Sequence, residues 1–262
     1  MVGTTAKEWT LWTTLCCLLP LPFPAFATSI VALVEERSIT IAADSVALGN
    51  SRTTGNFVKT SVCKIRCIDR LCFAAAGRYN NDTVKYDVWQ LAEKELHRAG
   101  TPKEASERFK TVIAPIVPKL VAASKNETPQ RYAEWLKGSP MLGYLFAGFD
   151  RNGESVIVTG SAMINVNGRA LPIRESSWRG ESGATSVVSL GQNEYIFDFM
   201  NSSPMWADSA ALHPSEFAER MVRIEIQASE NAGRRDVGDP IATVRLTNED
   251  GFNLESRGAC RP

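Results

Sequence analysis

The stretch Thr28-Ser-Ile-Val-Ala-Leu-Val-Glu-Glu-Arg-Ser-Ile-Thr-Ile-Ala-Ala-Asp44 decides how the rest of this chain is read. It consists of two short apolar runs about a polar turn at Glu35 to Arg37, the pattern of a β-hairpin. A Gly/Ser/Thr/Asn-rich loop is expected from Gly49 to Asn56. A second hairpin follows, with strands over Val62–Ile68 and Leu71–Ala76 joined by the two-residue turn Asp69-Arg70. That turn sets Cys67 opposite Cys72 at a non-hydrogen-bonded position, where antiparallel chains approach most closely.

Beyond Gly77 the period changes. Val84, Val88, Leu91, Ala92 and Leu96 recur at helical spacing behind the potential caps Asn80, Asn81 and Asp82, and Gly100 is a stop signal. A second helix is expected over Lys103 to Ser124, bent near Pro115 and Pro118. Strand patterns return at Leu142–Phe149 and Ser155–Gly160 around the turn Asp150-Arg-Asn-Gly153, and again at Ser186–Leu190. Helical character resumes at Glu194–Met200 and Ser215–Ala232, and Pro240–Leu246 reads as a late strand. This alternation describes one α+β domain with helices packed outside stacked sheets.

Ahead of Thr28 the composition differs. Lys7, a largely apolar run from Trp9 to Leu19, three prolines and Ala25-Phe26-Ala27 form the order of a secretory signal peptide, with cleavage expected after Ala27. The prolines leave too short an apolar helix for a bilayer core of roughly 30 Å, so no membrane association is expected after cleavage. The protein is accordingly expected to be secreted or periplasmic, with residues 28–262 as its folded domain. Lys+Arg and Asp+Glu balance at 29 each, which offers no electrostatic footprint for nucleic acid.

Export would leave Cys63, Cys67, Cys72 and Cys260 in an oxidising compartment. The local pattern favours a Cys67–Cys72 bond, with two buried free thiols as the alternative. No metal site is expected, because the spacing is not C-x-x-C and the only histidines, His97 and His213, lie far away in sequence. No cofactor is expected either, and no P-loop occurs.

Several of these segments, in this order, resemble the proteasome β-type, threonine-peptidase branch of the N-terminal nucleophile hydrolases. They are Thr28-Ser29-Ile30-Val31, Ile41-Ala42-Ala43-Asp44-Ser45, Cys63-Lys64-Ile65, Ala75-Ala76-Gly77, and Phe146-Ala147-Gly148-Phe149-Asp150 within Leu142–Gly160. The resemblance implies a four-layer αββα sandwich of two stacked antiparallel sheets with helices outside, and assembly of several copies. It implies Thr28 as nucleophile, Asp44 and Lys64 as its near partners, and the Gly77 backbone N–H as oxyanion donor.

Elementary chemistry asks for the same set. A threonine hydroxyl is a weak nucleophile and needs a base beside it. A free α-amine, with an ordinary pKa of about 7.7 to 8.0, sits on the same residue. A lysine nearby disfavours the protonated amine, and an aspartate fixes and pairs that lysine. An oxyanion donor typically supplies on the order of 3 kcal/mol to the transition state. Lys59 also stands at suitable spacing, but it lies between Val58 and Thr60 in an expected loop, whereas Lys64 precedes the branched Ile65 in an expected strand, which the resemblance implies for the active-site lysine.

The second half departs from the resemblance. Where a serine-glycine pair and, later, an aspartate before Ser-Gly-Gly are expected, the chain has Ser189-Leu190-Gly191-Gln192-Asn193 and Arg234-Arg235-Asp236-Val237-Gly238-Asp239. Gln192 stands in place of the serine, and Asp236 is two positions off. The sequence therefore carries two function classes. One is an exported threonine-type hydrolase of amide bonds, matured by signal-peptide removal and acting on a peptide or a small amide. The other is a catalytically silent scaffold of the same fold. The substrate pocket falls in loops such as Ile173–Thr185, which carry no readable signature.

Overall fold

The computed structural model describes residues 28–50, 57–203, 205–233, 237–258 and 260, with the side chains of 48–50 and 57–59 left aside. Residues 1–27, where a signal peptide is expected, most of the expected 49–56 loop, and residues 234–236 with Asp236 lie outside the described residues.

The first half runs β1 (Ser29–Val34), β2 (Ser38–Asp44), β3 (Val46–Asn50), β4 (Phe57–Ser61), β5 (Ile65–Ile68), β6 (Leu71–Gly77), β7 (Asn80–Asn81) and β8 (Tyr86–Asp87). Four helices follow: α1 (Val88–Leu96), α2 (Pro102–Ile113), α3 (Val117–Glu127) and α4 (Pro129–Leu136). The second half runs β9 (Leu142–Phe149), β10 (Ser155–Ala162), β11 (Arg174–Arg179), β12 (Ser186–Gly191), α5 (Glu194–Ser202), α6 (Trp206–Leu212), α7 (Pro214–Asn231), β13 (Ile241–Thr247) and β14 (Gly251–Arg257). The result is a mixed α/β fold with two five-stranded antiparallel sheets, in the orders β12-β1-β2-β13-β14 and β11-β10-β9-β6-β5.

The opening hairpin forms as its sequence dictates. Glu35 donates its N–H to the Ser38 carbonyl at 3.0 Å, Glu36 and Arg37 stay exposed, and Val34 faces Ile39 in register. Every residue of β1 and β2 is buried, which explains why both faces of these strands are largely apolar. Ile30, Ala32 and Val34 join a cluster with Leu145, Ala147 and Phe149 of the other sheet. Val31 and Leu33, on the opposite face, pack with Phe217, Met221 and Val222 of α7. In β6 the alternation repeats: Cys72, Ala74 and Ala76 join the first cluster, while Phe73 and Ala75 meet Val88 and Ala92 of α1 and Phe109 of α2.

Several boundaries differ from the sequence reading. Val62–Lys64 are not strand, because β5 begins at Ile65, and Lys59 lies in strand β4 rather than a loop. The first helix begins at Val88, capped by Asp87, whose carboxylate accepts the N–H groups of Trp89 and Gln90 at 2.9 and 3.1 Å. The helix expected over 103–124 is two, α2 and α3, broken at residues 114–116 between Ile113 and Val117, where Pro115 lacks a donor. Helices α4 and α6 and strands β11 and β14 lie in stretches whose periodicity is too short or too polar to read.

Cys67 faces Cys72 in the β5–β6 register, and the two are disulfide-bonded. A second disulfide joins Cys63, immediately before Lys64, to Cys260.

Candidate active site

The hairpin register brings the end of β2 beside the start of β1. Asp44 there receives four donors. Oδ1 accepts the Ser29 N–H and the Lys64 ammonium, each at 2.8 Å. Oδ2 accepts the N–H groups of Val46 at 3.0 Å and Gly238 at 3.3 Å. The Asp44–Lys64 pair is fully enclosed, with 0% of either side chain exposed. Burial pushes the Asp44 carboxyl above its ordinary value, and the Lys64 charge is the largest influence opposing it, followed by the hydrogen bonds from Lys64 and from the Ser29 and Val46 amides.

Lys64 owes its place to its neighbours. It ends the three-residue connection between β4 and β5, and the Cys63–Cys260 bond ties that connection to the segment after β14. Val62 donates its N–H to the Ser45 carbonyl at 2.7 Å, and Ser45 donates to the Gly238 carbonyl at 3.3 Å.

Thr28, at the mouth of β1, is fully buried. Its carbonyl accepts the Gln192 N–H at 2.8 Å, and Ser29 faces Gly191 across the β1–β12 ladder. Gly191 has φ +81°, and a Cβ there would lie 2.1 Å from the Thr28 carbonyl oxygen. The Thr28 hydroxyl is hydrogen-bonded to the Tyr79 phenol.

Gly77 ends β6 with φ +105°, and a Cβ on it would meet the Met141 carbonyl oxygen at 2.4 Å. The next residue, Arg78, donates to that carbonyl at 2.9 Å. Antiparallel alternation therefore turns the Gly77 N–H away from β9, towards the side where β5, which begins at Ile65 opposite Ala74, does not reach.

Tyr79 escaped the sequence reading. Its carbonyl accepts the Val88 N–H at 2.8 Å, and its ring stacks on Trp89 with centroids 5.6 Å apart. Glu127 anchors the same turn by accepting from Arg78, Asn81 and Thr83 at 3.1, 2.7 and 2.8 Å. Burial, and then the Asp44 charge, raise the phenol far above its ordinary value, so it stays protonated. The available signal was its position two residues beyond Gly77, at the end of an apolar strand.

The structure thus brings Thr28 and Asp44 together through Ser29, and Asp44 and Lys64 together directly. Gln192 and Gly238, from the two departing segments, touch this site through their backbones. His97 and His213 sit at helix ends. Among the described residues no cluster of His, Cys, Asp and Glu has the makings of a metal site.

Two wide grooves lie elsewhere. One, of about 800 Å³, runs between the start of α2, the 150–152 turn and β11. The other, of about 790 Å³, is lined by the 35–38 turn and residues 181–185. The expected pocket loop Ile173–Thr185 therefore contributes a strand, β11, at the far edge of its sheet from β5 and borders grooves lined by none of Thr28, Asp44, Lys64 and Gly77.

No protein-family model matches the chain, and neither does any curated protein. Solved structures do. Anbu (ancestral beta-subunit) from Yersinia bercovieri is 12% identical with a TM-score of 0.50, over 86% of each chain. Anbu from Hyphomicrobium sp. strain MC1 is 14% identical with a TM-score of 0.48, over 87% of this chain and 85% of that one. Anbu from Pseudomonas aeruginosa, described as a helical assembly of the Anbu complex, is 14% identical with a TM-score of 0.47, over 87% and 84%. These findings correct the sequence-based resemblance. Membership in the proteasome β-type threonine-peptidase branch is not upheld, because the similar structures are Anbu proteins at such low identity. What stands is a distant proteasome-like fold.

Proposed function

We propose that this chain is an exported hydrolase of amide bonds whose nucleophile is Thr28, made competent when the signal peptide is cut after Ala27. Residues 28–262 then form one domain arranged as a four-layer αββα sandwich, secreted or periplasmic, acting on a peptide or a small amide.

The observation that carries this reading is the sharing of one oxygen, Asp44 Oδ1, by the Ser29 amide and the Lys64 ammonium. A buried ion pair is a costly way to hold a strand end, and a hydrophobic pair of similar volume would serve at least as well. Placed one residue from a threonine about to become N-terminal, it has a chemical use. The cation disfavours the protonated α-amine, and the free amine takes the Oγ1 proton as Oγ1 bonds to the carbonyl carbon and the C=O π pair moves to oxygen. Collapse breaks the C–N bond, and the leaving amine takes the proton from the α-ammonium. Water, deprotonated by the same amine, attacks the resulting ester, and Oγ1 leaves with that proton. The Gly77 N–H is assigned to the oxyanion.

A second reading, a silent scaffold assembling from several copies, draws on the complete burial of Thr28 in the intact chain and on the glutamine at 192. One experiment separates the two. Purified protein beginning at Thr28 is incubated with a threonine-reactive β-lactone, beside Thr28→Ala. Labelling of the first alone supports the hydrolase, while labelling of both or of neither excludes it.

A further inference from the structure

We propose that the Tyr79 hydroxyl is a catalytic group of this site, a side-chain donor that works alongside the Gly77 N–H on the oxyanion. The inference rests on the hydrolase reading and extends it to a residue outside the Thr28, Asp44, Lys64 and Gly77 set.

The phenol already touches the reacting atom, Thr28 Oγ1. Once Oγ1 bonds to a carbonyl carbon, the oxyanion is only two bonds away, so a donor within hydrogen-bond reach of Oγ1 is within a short swing of the developing charge. Gly77 ends β6 and Tyr79 follows it two residues on, and strand alternation turns the Gly77 N–H away from β9. The tyrosine is held by its stack on Trp89 and by the Glu127-anchored turn, so its donor is oriented before substrate arrives.

Its protonation state suits a donor and not a base. Burial keeps the phenol neutral across working pH, and Asp44 nearby reinforces this. The Oγ1 proton therefore passes to the α-amine, and the Tyr79 proton stays on its oxygen throughout. Within reach of the Asp44 charge a phenylalanine would stack on Trp89 equally well, so stacking alone does not account for the hydroxyl.

The test uses two electrophiles on protein beginning at Thr28, as wild type, Tyr79→Phe and Thr28→Ala. A β-lactone acylates Oγ1 through a tetrahedral oxyanion, whereas a peptidyl vinyl sulfone alkylates it without one. Tyr79→Phe is expected to slow β-lactone acylation about 10²-fold, the usual effect of removing one oxyanion donor, while changing vinyl sulfone labelling by less than about threefold. Fluorotyrosine at 79, which keeps the shape and strengthens the donor, should hold acylation at or above the wild-type rate, and this arm decides the matter should Tyr79→Phe not fold. Equal slowing with both probes, or no slowing with the lactone, overturns the Tyr79 role while leaving the hydrolase reading intact. Wild type inert to both probes overturns both.

Discussion

Asp44 and Lys64 form an ion pair at 2.8 Å in which neither side chain reaches solvent. Removing one member strands a charge in the interior, at a cost of about 3–5 kcal/mol. Asp44→Asn is therefore expected to lower unfolding stability by that amount in a denaturant titration. The double variant Asp44→Asn/Lys64→Met should lose much less than the sum of the two single changes, and additive losses would mean that the pair is not coupled.

Lys64, and not Lys59, is expected to govern reactivity. Lys59→Ala should label with a β-lactone at close to the wild-type rate, whereas Lys64→Met should be markedly slower at neutral pH, because the α-amine loses the cation that keeps it unprotonated and Asp44 loses its buried partner. The opposite order, read by intact mass against time, would reassign the lysine.

The pH profile of acylation follows from the α-amine, whose free-base form is the active one. Reactivity should rise with pH up to the amine pKa and then level off, falling tenfold per unit below it. The ordinary midpoint is about 7.7 to 8.0, and a neighbouring ammonium moves it down. Replacing Lys64 removes that cation, so the midpoint in Lys64→Met should move up, even as its plateau falls. A midpoint unchanged by the substitution would separate Lys64 from the amine.

The two disulfides are expected to differ in worth. Cys63–Cys260 closes a separation of 197 residues and Cys67–Cys72 one of 5. Loop entropy then assigns about 5 kcal/mol to the first and about 2 kcal/mol to the second. Cys63→Ala/Cys260→Ala should lower Tm more than Cys67→Ala/Cys72→Ala, and it should also slow labelling, because Cys63 anchors the connection that carries Lys64. A larger Tm loss from the short-loop pair would contradict this ranking.

Gly77→Ala and Gly138→Ala share a similar backbone, with φ +105° and +104°, but only Gly77 has the Met141 carbonyl oxygen 2.4 Å from the added Cβ. The shared left-handed conformation costs roughly 1–2 kcal/mol in each. Crowding adds a further ~1–3 kcal/mol at Gly77 alone. Equal destabilisation of the two variants would show that β9 shifts freely to accept the methyl.

Much of this was legible in the sequence because the signals are local. The hairpin 29–44 is an apolar run, a polar turn and a second apolar run, and the Cys67–Cys72 pairing follows from a two-residue turn. The Asp44–Lys64 partnership was read through the resemblance and the chemistry of an N-terminal threonine rather than from a local pattern. Tyr79 was not legible, because what gives it a role is the convergence of two sheets, the ends of β1 and β6, which no period in either segment records. Gly238 was hidden for another reason: it reaches Asp44 through its backbone N–H, so side-chain identity carries no trace of the contact. The reading of 173–185 as loop missed β11 because this edge strand is polar at every position but Trp178, which alone packs against the core.

The most direct test is to locate the label. Protein exported by its own N-terminal segment is treated with a β-lactone, digested with trypsin and sequenced by tandem mass spectrometry. The account requires the peptide Thr28–Arg37 to begin at Thr28 and to carry the adduct on that residue. A peptide still joined to Ala27, or one that begins at Thr28 and stays unmodified while the lactone is consumed elsewhere, would contradict it.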